Sequence, residues 1–357
     1  MTRALRGQVT ISELWWTTNC DTHQAPLRLH LMTARVSILD VAAAAGVSKS
    51  TASRALLAQP GVTDEVKATV IRAAETLGYV KDYRAHALKS TSTKTVGIIV
   101  RTVRLDFYAE LIAAIQTQLE ANGYRVAFTG AGESGEGRSK ALNGLLGLRP
   151  EAVIVASGRI PMKAIEAVGT QVPTTLIGPS TTSTIVGSVA DDGHGITSLA
   201  KLVSGAGHER VGVVTFPRNR STTLSLRAQR LRRELAVLGI TAIPVACDPT
   251  EDSADTDSLR SALPQITALM CPNDPTMVST WAKLDSWGVR VPEDLALTGY
   301  DGIGQIANPL FGLTTWQQDI AGMANAAATN VLERITQPDR AVQHARLRGQ
   351  LLRGRTL

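Results

Sequence analysis

The stretch SILDVAAAAGVSKSTASRALL, residues 37–57, decides how the rest of this sequence is interpreted. Its spacing predicts two short helices joined at Gly46, because glycine adopts the left-handed backbone conformation at little cost. Ser37 and Ser48 each precede a helix, where a serine hydroxyl accepts a hydrogen bond from a free backbone N–H group. This pattern is typical of a helix-turn-helix, in which the second helix enters the major groove of DNA.

The second predicted helix has one polar face, and the residue types on that face are those that contact DNA. Arginine pairs with guanine, serine hydroxyls pair with donors or acceptors on a base edge, and lysine acts as a point charge. The residues of this face are Lys49, Ser50, Ser53, Arg54 and Leu57. A third helix, capped by Thr63 and ended by Gly78, predicts a small three-helix core. The alternative is an ordinary helical hairpin inside a protein core.

The distribution of charge favours a nucleic-acid partner. The 357 residues carry a formal net charge of +6. Between Arg35 and Lys94 there are nine Lys and Arg residues against five Asp and Glu residues, so about four of the six excess charges lie in one sixth of the chain. A concentration of this kind favours a polyanion over a diffuse basic surface.

Several other classes of protein are disfavoured by the residues that the chain lacks. The three cysteines, Cys20, Cys247 and Cys271, are too few and too scattered for a disulfide framework or a zinc site. The glycine-rich segment 130–137 is not followed by Lys-Ser/Thr, as a phosphate-binding loop would be. The histidines show no metal-ligand spacing, and no nucleophile lies beside a base. We therefore expect a cytoplasmic protein without enzyme activity, metal or cofactor, and without a membrane span.

The composition divides the chain into four segments. Residues 1–31 fit no helical or strand period, which predicts a non-native or disordered N-terminal extension with Met32 as the initiator; an extra arm that touches DNA or a partner is the alternative. The DNA-binding headpiece is predicted at 32–80 and a hinge or linker at 81–94. Residues 95–357 are predicted to form the ligand-binding and dimerisation domain.

Beyond Thr95, short apolar runs alternate with helical patterns, which predicts α/β architecture with doubly wound parallel sheets. About 260 residues is too long for one such sheet, so two similar subdomains that face a cleft are expected. The predicted strands are TVGIIV, RVAFTG, AVIVAS, TTLIG, RVGVVTF, ITALMC and LALTGY, with a last one in LRGQLLRGRTL. The predicted helices are 108–122, 138–148, 162–168, 195–206, 225–238 and 276–287.

Ligands in such folds bind beyond the carboxyl ends of the strands, and polar or aromatic side chains follow several of them. Phe107 follows the first strand, where it would either stack on a ring or join the core. Asn273 and Asp301 each follow a later strand, and Arg227 lies near the start of a helix. An arginine, an amide and carboxylates in one cleft suit a polyhydroxylated or similarly polar molecule, since each hydroxyl both donates and accepts.

The order of DVAAAAGVSKSTASRAL, VTDEVKATVIRAAETLGY, a short hinge and TVGIIV resembles the lactose-repressor (LacI/GalR) family of bacterial transcription regulators. The resemblance runs from about Val36 to the C-terminus. It implies a two-lobed periplasmic-binding-protein-like domain after the headpiece, with chain crossings near Ala190, near 316–319 and near Pro338. It also implies a homodimeric repressor whose affinity for operator DNA is controlled by a small molecule, such as a sugar, between the lobes.

The resemblance implies roles for individual residues. Lys49, Ser50, Ser53 and Arg54 would contact operator bases, Thr51 would contact phosphates, and Leu88 would be the hinge leucine that enters the minor groove. The effector-binding positions would be Asn273, Asp301, Arg227, Asp191, Trp316 and Gln318, with Phe107 added from its place after the first strand.

Two positions depart from the family pattern, and one alternative function stays open. Gly302 stands where the family has a second aspartate, and Arg230 stands where it has a helical glycine. No leucine heptad follows the last strand, so a dimer is favoured over a coiled-coil tetramer. The alternative function is a solute-binding protein without DNA binding, for which a signal peptide and no DNA-reading helix would be expected.

Overall fold

The structure is a computed structural model, and the chain divides into two compact units, Met1–His86 and Ala87–Leu357. The described residues are 36–57, 59–79, 92–132, 134–248 and 252–357. The predicted extension 1–31 and the predicted hinge residue Leu88 lie outside these residues, so both stay predictions.

The smaller unit contains the three predicted helices, and each begins at the cap that the sequence predicts. Ser37 accepts from the backbone N–H of Asp40 and Ser48 from that of Thr51, while Thr63 caps the third helix in the same way. Gly46 and Gly78 have φ angles of 66° and 64°, the left-handed conformation that ends a helix at glycine. The helices are α1 (Ile38–Ala44), α2 (Lys49–Leu56) and α3 (Asp64–Leu77).

A core of small side chains holds these helices together. Its buried members are Val41, Ala42, Ala52, Ala55, Val70 and Ala74. Ala52 and Ala55 turn one side of α2 inward, and the opposite side, with Lys49, Ser50 and Arg54, is exposed. The core therefore fixes which face of α2 is presented to solvent.

The first lobe of the larger unit is a six-stranded sheet with helices on both faces. Its strand order is β11-β5-β4-β3-β1-β2, with every pairing parallel. Every residue of β3 is buried, as expected for a strand covered on both sides. The strands are β1 (Thr95–Val100), β2 (Arg125–Gly130), β3 (Ala152–Ala156), β4 (Thr174–Ile177), β5 (Gly187–Asp191) and β11 (His344–Leu347), and the helices are α4 (Asp106–Ala121), α5 (Gly135–Gly147), α6 (Met162–Gly169) and α11 (Ile320–Thr336).

The second lobe repeats this plan with four parallel strands in the order β7-β6-β8-β9. Its strands are β6 (Arg210–Thr215), β7 (Thr241–Ala246), β8 (Ala268–Met270) and β9 (Ala296–Thr298), and its helices are α7 (His194–Gly205), α8 (Thr222–Val237), α9 (Thr256–Ala262) and α10 (Asp274–Ser286). The predicted fold class is confirmed: a helical headpiece precedes two doubly wound lobes.

The chain crosses between the lobes three times. It leaves the first lobe after β5, at 192–193, and returns at Asp319 after β10 (Thr315–Gln317), close to the predicted positions. The prediction of a crossing near Pro338 is wrong, because that turn joins α11 to β11 within the first lobe. The third crossing follows β11, at 348–349, since β12 (Gln350–Leu352) must turn back to pair antiparallel with β10.

A glycine at the start of α7 sets the packing beside the crossings, and we predict that Gly195→Ala destabilises the protein. A Cβ on Gly195 would overlap the indole ring of Trp316. Alanine favours helix by about 1 kcal/mol over glycine, but overpacking of this kind costs about 1–3 kcal/mol. We therefore expect a net loss in the free energy of unfolding, measured by urea denaturation.

Gly205→Ala is the matched control, because it lies in the same helix with nothing within 4 Å of its Cβ position. It should leave stability unchanged or raise it by a few tenths of a kcal/mol. Equal behaviour of the two variants would contradict the packing described for Trp316.

Candidate functional site

A cavity of about 380 Å³ lies in the larger unit, between the carboxyl ends of the strands of the two lobes. Residues that follow β1, β3, β4 and β5 line one side, and residues that follow β6, β8 and β9 line the other. The cavity has the size of a ligand pocket for a small metabolite. Of the predicted effector residues, its lining includes Phe107, Asp191, Arg227, Asn273, Asp301 and Gln318.

A buried ion pair joins α8 to the loop after β9. Arg227, only 8% exposed, donates from Nη1 to Asp301 Oδ1 at 3.1 Å and to the carbonyl of Pro272. Its guanidinium group lies 3.8 Å from the centre of the Tyr300 ring. Gln318 donates to the same oxygen of Asp301 at 2.6 Å. These contacts fix one carboxylate oxygen of Asp301 and leave the second for another partner.

Asp301 has a backbone conformation that favours glycine. Its φ is 127°, and the chain is held there by a bond from its N–H to the carbonyl of Trp316 and one from the N–H of Gln318 to its own carbonyl, each 2.9 Å. A non-glycine residue in such a region costs about 1–3 kcal/mol, and strain of this size is concentrated at functional sites. The side chain of Asp301 is therefore a strong candidate for a functional group.

The environment of Asp301 changes its acidity. Burial raises the pKa of Asp301 to about 7, against the opposing effect of the adjacent Arg227. Arg227 and Gln318 both donate to the carboxylate, so Asp301 acts as a hydrogen-bond acceptor, which suits a ligand that carries hydroxyl donors.

Asn273 and Asp274 line the cavity and also stabilise the structure around it. Asn273 caps α10 by accepting from the backbone N–H of Thr276 at 3.3 Å. Asp274 uses both oxygens, accepting from the Thr315 hydroxyl and from the backbone N–H of Gly302, each at 2.6 Å. Asp274 thus ties the loop that carries Asp301 to strand β10, which leads into a crossing between the lobes.

Asp191 lies at the first crossing with one carboxylate oxygen satisfied and one not. Its Oδ1 accepts from the Tyr300 hydroxyl at 2.8 Å and from the backbone N–H of Gly193 at 2.7 Å. Its Oδ2 is buried and has no partner among the described residues. A buried acceptor without a donor is costly, so this oxygen is suited to accept from a ligand.

Two aromatic predictions have different outcomes. Phe107 lies in the first turn of α4, half-buried, edge-on to the Tyr108 ring at 5.1 Å, and it lines the cavity. The assignment of Trp316 to the cavity is wrong. Its ring is 3% exposed and packs over Gly195 among the side chains of the second-lobe core, away from the cavity lining.

The structure explains the first departure from the family pattern and locates the second. Gly302 has a φ of 59°, and a Cβ there would overlap the backbone of Gln317, so the chain has no room for a side chain. Arg230 is exposed at the edge of the cavity, where its Nη1 would lie 3.2 Å from a Cβ on Gly193.

Arg101 and Tyr300 are two of the cavity residues that sequence reasoning missed. Arg101 directly follows β1 and is 7% exposed, and Tyr300 supplies both the ring beside Arg227 and the hydroxyl on Asp191. A charged residue directly after a fully apolar strand was the available signal for Arg101. Tyr300 lies in an apolar run, LALTGY, so its ring could not be distinguished from a core residue.

In the headpiece, the predicted base-contacting residues share one face of α2. Lys49, Ser50 and Arg54 are exposed and Ser53 is half-buried. Arg54 donates to the Ser50 hydroxyl at 3.4 Å, which aligns the two side chains along the helix. Thr51 lies within 2.9 Å of the Ser48 hydroxyl at the amino end of α2, where backbone N–H groups favour phosphate.

The part of the chain that the structure describes holds neither a metal-binding cluster nor a helix suited to a membrane. No group of three His, Cys, Asp or Glu side chains there is placed to hold a metal ion. None of the helices in this part of the chain is long and apolar enough to cross a membrane.

Each of the two units matches a known protein family in sequence. Residues 37–82 match the profile of bacterial regulatory proteins of the lacI family, and residues 200–357 match that of the periplasmic binding protein-like domain. The HTH-type transcriptional repressor PurR of Haemophilus influenzae is 26% identical over 86% of this chain and 93% of its own length. The ribose operon repressor of the same species is 25% identical over 84% and 92%.

Comparison with solved structures agrees on the fold. The lac repressor dimer bound to operator and the anti-inducer ONPF is similar, with a TM-score of 0.75 at 22% identity, over 90% of this chain and 98% of that one. The complex of the transcriptional regulator CelR with cellobiose has a TM-score of 0.65 at 24% identity, over 90% and 100%. The chain therefore combines a lacI-family helix-turn-helix domain with a periplasmic-binding-protein-like domain, and its homologues of similar length are transcriptional repressors.

Proposed function

We propose that the chain represses transcription as a homodimer, and that a polar metabolite in the cavity between the lobes controls its affinity for operator DNA. The observation that carries this proposal is the strained carboxylate of Asp301, held by Arg227 and Gln318 at the edge of a cavity large enough for a metabolite. No catalytic arrangement accompanies this group in the described residues, and a binding site accounts for its features.

The polar groups of the cavity fit a sugar or a similar molecule. Asp191 and Asp301 supply acceptors, Arg227 supplies donors, and the half-buried ring of Phe107 supplies flat apolar surface. A polyhydroxylated ring has matching donors and acceptors around its edge and apolar C–H groups on its faces. Two similar proteins are compatible with this class: the regulator CelR is in a complex with the sugar cellobiose, and the ribose operon repressor represses an operon named for a sugar.

Two copies of the chain would present two copies of α2 to successive major grooves, which is how helix-turn-helix dimers bind operators in the bacterial cytoplasm. The similar lac repressor structure is a dimer on its operator. Leu310 and Phe311, 81% and 50% exposed, form an apolar surface on the second lobe that a second copy would cover. Dimerisation would set the spacing between the two headpieces.

The crossings between the lobes provide the switch. Asp301 and Gln318 lie beside the second crossing and Asp191 beside the first, so a ligand that binds them favours one angle between the lobes. The ligand changes operator affinity only to the extent that it binds one arrangement of the lobes more tightly than the other. This difference in binding free energy is typically about 1–3 kcal/mol.

Arg54→Ala tests the DNA-reading face. Loss of the guanidinium group should weaken binding to the preferred duplex by about 1–3 kcal/mol and reduce discrimination at one base pair. A duplex selected from a random pool, labelled and titrated at fixed salt, gives the affinity by fluorescence anisotropy.

Arg72→Ala removes the same charge from the exposed side of α3, where Arg72 donates to Thr69. It should affect preferred and unrelated duplexes equally. Binding by Arg54→Ala that matches wild type in both affinity and sequence preference would contradict the role of α2.

Asp301→Asn tests the cavity, with a thermal-shift panel of sugars and nucleosides as the probe. Asparagine keeps the shape and tolerates a positive φ, but it removes the charge-assisted contact with the ligand. We expect the compound that stabilises wild type to lose at least about tenfold in affinity, while operator binding without ligand stays unchanged.

Asp294→Asn is the control, because Asp294 lies in the same lobe and pairs on the surface with Arg290 at 2.7 Å. It should respond to the same compound as wild type does. A full response by Asp301→Asn would exclude Asp301 from the binding site.

A further inference from the structure

We infer that the effector carries an anionic group, a phosphate monoester or a carboxylate, which Arg101 and the first turn of α8 bind. This inference rests on the proposed function and adds the chemical class of the ligand. Neither the predicted effector residues nor the relatives assign a role to Arg101.

Arg101 is a buried cation with a weak partner. Its side chain is 6% exposed and lines the cavity, and among the described residues its nearest carboxylate oxygen is Asp252 Oδ1 at 3.7 Å, too far for a good hydrogen bond. Arg220 approaches the same oxygen at 3.5 Å. The Nε atoms of both arginines are buried and lack a partner in the described part of the chain. One partly exposed carboxylate thus serves two guanidinium groups, and a further anion would satisfy Arg101.

The amino end of α8 supplies a second, independent contribution. This helix has 16 residues, and its N-cap Ser221 and the first-turn residue Thr223 line the cavity with Ser157 of the first lobe. Gly158 allows the close approach, since a Cβ there would lie 3.0 Å from the Thr223 hydroxyl. The N-terminus of a helix of this length carries partial positive charge and favours an anion.

The sheet order places Arg101 away from the carboxylates at the first crossing. Arg101 follows β1 and Asp191 follows β5, and strands β3 and β4 lie between them. Three strand spacings of about 4.8 Å separate the two positions by roughly 14 Å. At this separation, the repulsion between the carboxylate of Asp191 and a phosphate or carboxylate beside Arg101 is weak.

The remaining acidic side chains of the lining do not neutralise Arg101. Asp274 accepts from Thr315 and Gly302 with its two oxygens, and Asp301 is paired with Arg227. Asp106 is exposed and lies beside Gly304. The cavity is accordingly bipolar: one end offers a carboxylate and amide network for hydroxyl groups, and the other offers a cation and a helix N-terminus.

The first experiment titrates inorganic phosphate against the full chain in a thermal-shift assay, with potassium chloride of equal ionic strength as the reference. Wild type should show a saturable rise in melting temperature above the reference. Arg101→Gln should need at least about tenfold more phosphate. Arg232→Gln, which removes an exposed cation from the same helix α8, should behave as wild type.

Phosphate also stabilises proteins without binding to a site, but that effect does not saturate and is equal in all variants. The inference would be overturned if the melting temperature rose without saturation and equally in all variants. It would also be overturned if wild type and Arg101→Gln reached half of the maximal rise at the same phosphate concentration. If Arg101→Gln does not fold, Thr223→Val provides the test, because it keeps Arg101 and removes one hydroxyl from the same end. It should weaken phosphate binding several-fold, and an unchanged response would again overturn the inference.

The second experiment compares glucose with glucose 6-phosphate and gluconate, and ribose with ribose 5-phosphate, as modulators of operator binding by anisotropy. Each effective anionic sugar should change operator binding at a concentration at least about tenfold below that of its neutral parent. An effective phosphate ester would identify the anionic group as phosphate, and effective gluconate would identify it as carboxylate. A neutral parent of equal potency would refute the anionic class and leave the proposed effector function intact. If the panel has no effect, the phosphate titration still decides the inference.

Discussion

The pairing of a buried arginine with a strained aspartate is the interaction on which the ligand-binding part of this protein depends. Arg227 comes from α8, Asp301 from the loop after β9, and Gln318 from the second crossing between the lobes, so three separate elements meet at one carboxylate oxygen. Asp274 holds the same loop against β10. Charge pairing alone would not require the unfavourable backbone of Asp301, and strain of this kind is typical of a functional group that must point in one direction.

This geometry gives a physical basis for control at a distance. The groups that would hold the ligand lie next to two of the three crossings that connect the lobes, so we expect the occupancy of the cavity to be coupled to the angle between the lobes. The headpiece contributes a separate requirement, a rigid small core that presents one face of α2. In the proposed function, DNA and metabolite are therefore bound by different units of the chain.

Sequence patterns predicted the parts of the molecule that local interactions determine. The three headpiece helices follow from their serine and threonine caps and from Gly46 and Gly78, and the parallel strands follow from short apolar runs such as β3. Other features depend on contacts between distant residues. Trp316 was assigned to the cavity although its ring fills the space above Gly195, and the last crossing was placed near Pro338 because the pairing of β12 with β10 has no local signature. The long helix α11 is absent from the predicted helices, because its many alanines give only a weak apolar period. Arg101 was not predicted as a cavity residue, because its position matters only when β1 and α8 face the same cavity.

The most direct test of the central claim is reciprocal linkage between the two sites in the intact chain. Operator affinity is measured by anisotropy with and without a saturating cavity ligand, and ligand affinity is measured by calorimetry with and without operator. The account predicts that both affinities change by the same factor, between about 5-fold and 150-fold. An operator affinity that stays the same at saturating ligand, with the ligand shown to occupy the Asp301 cavity, would contradict it.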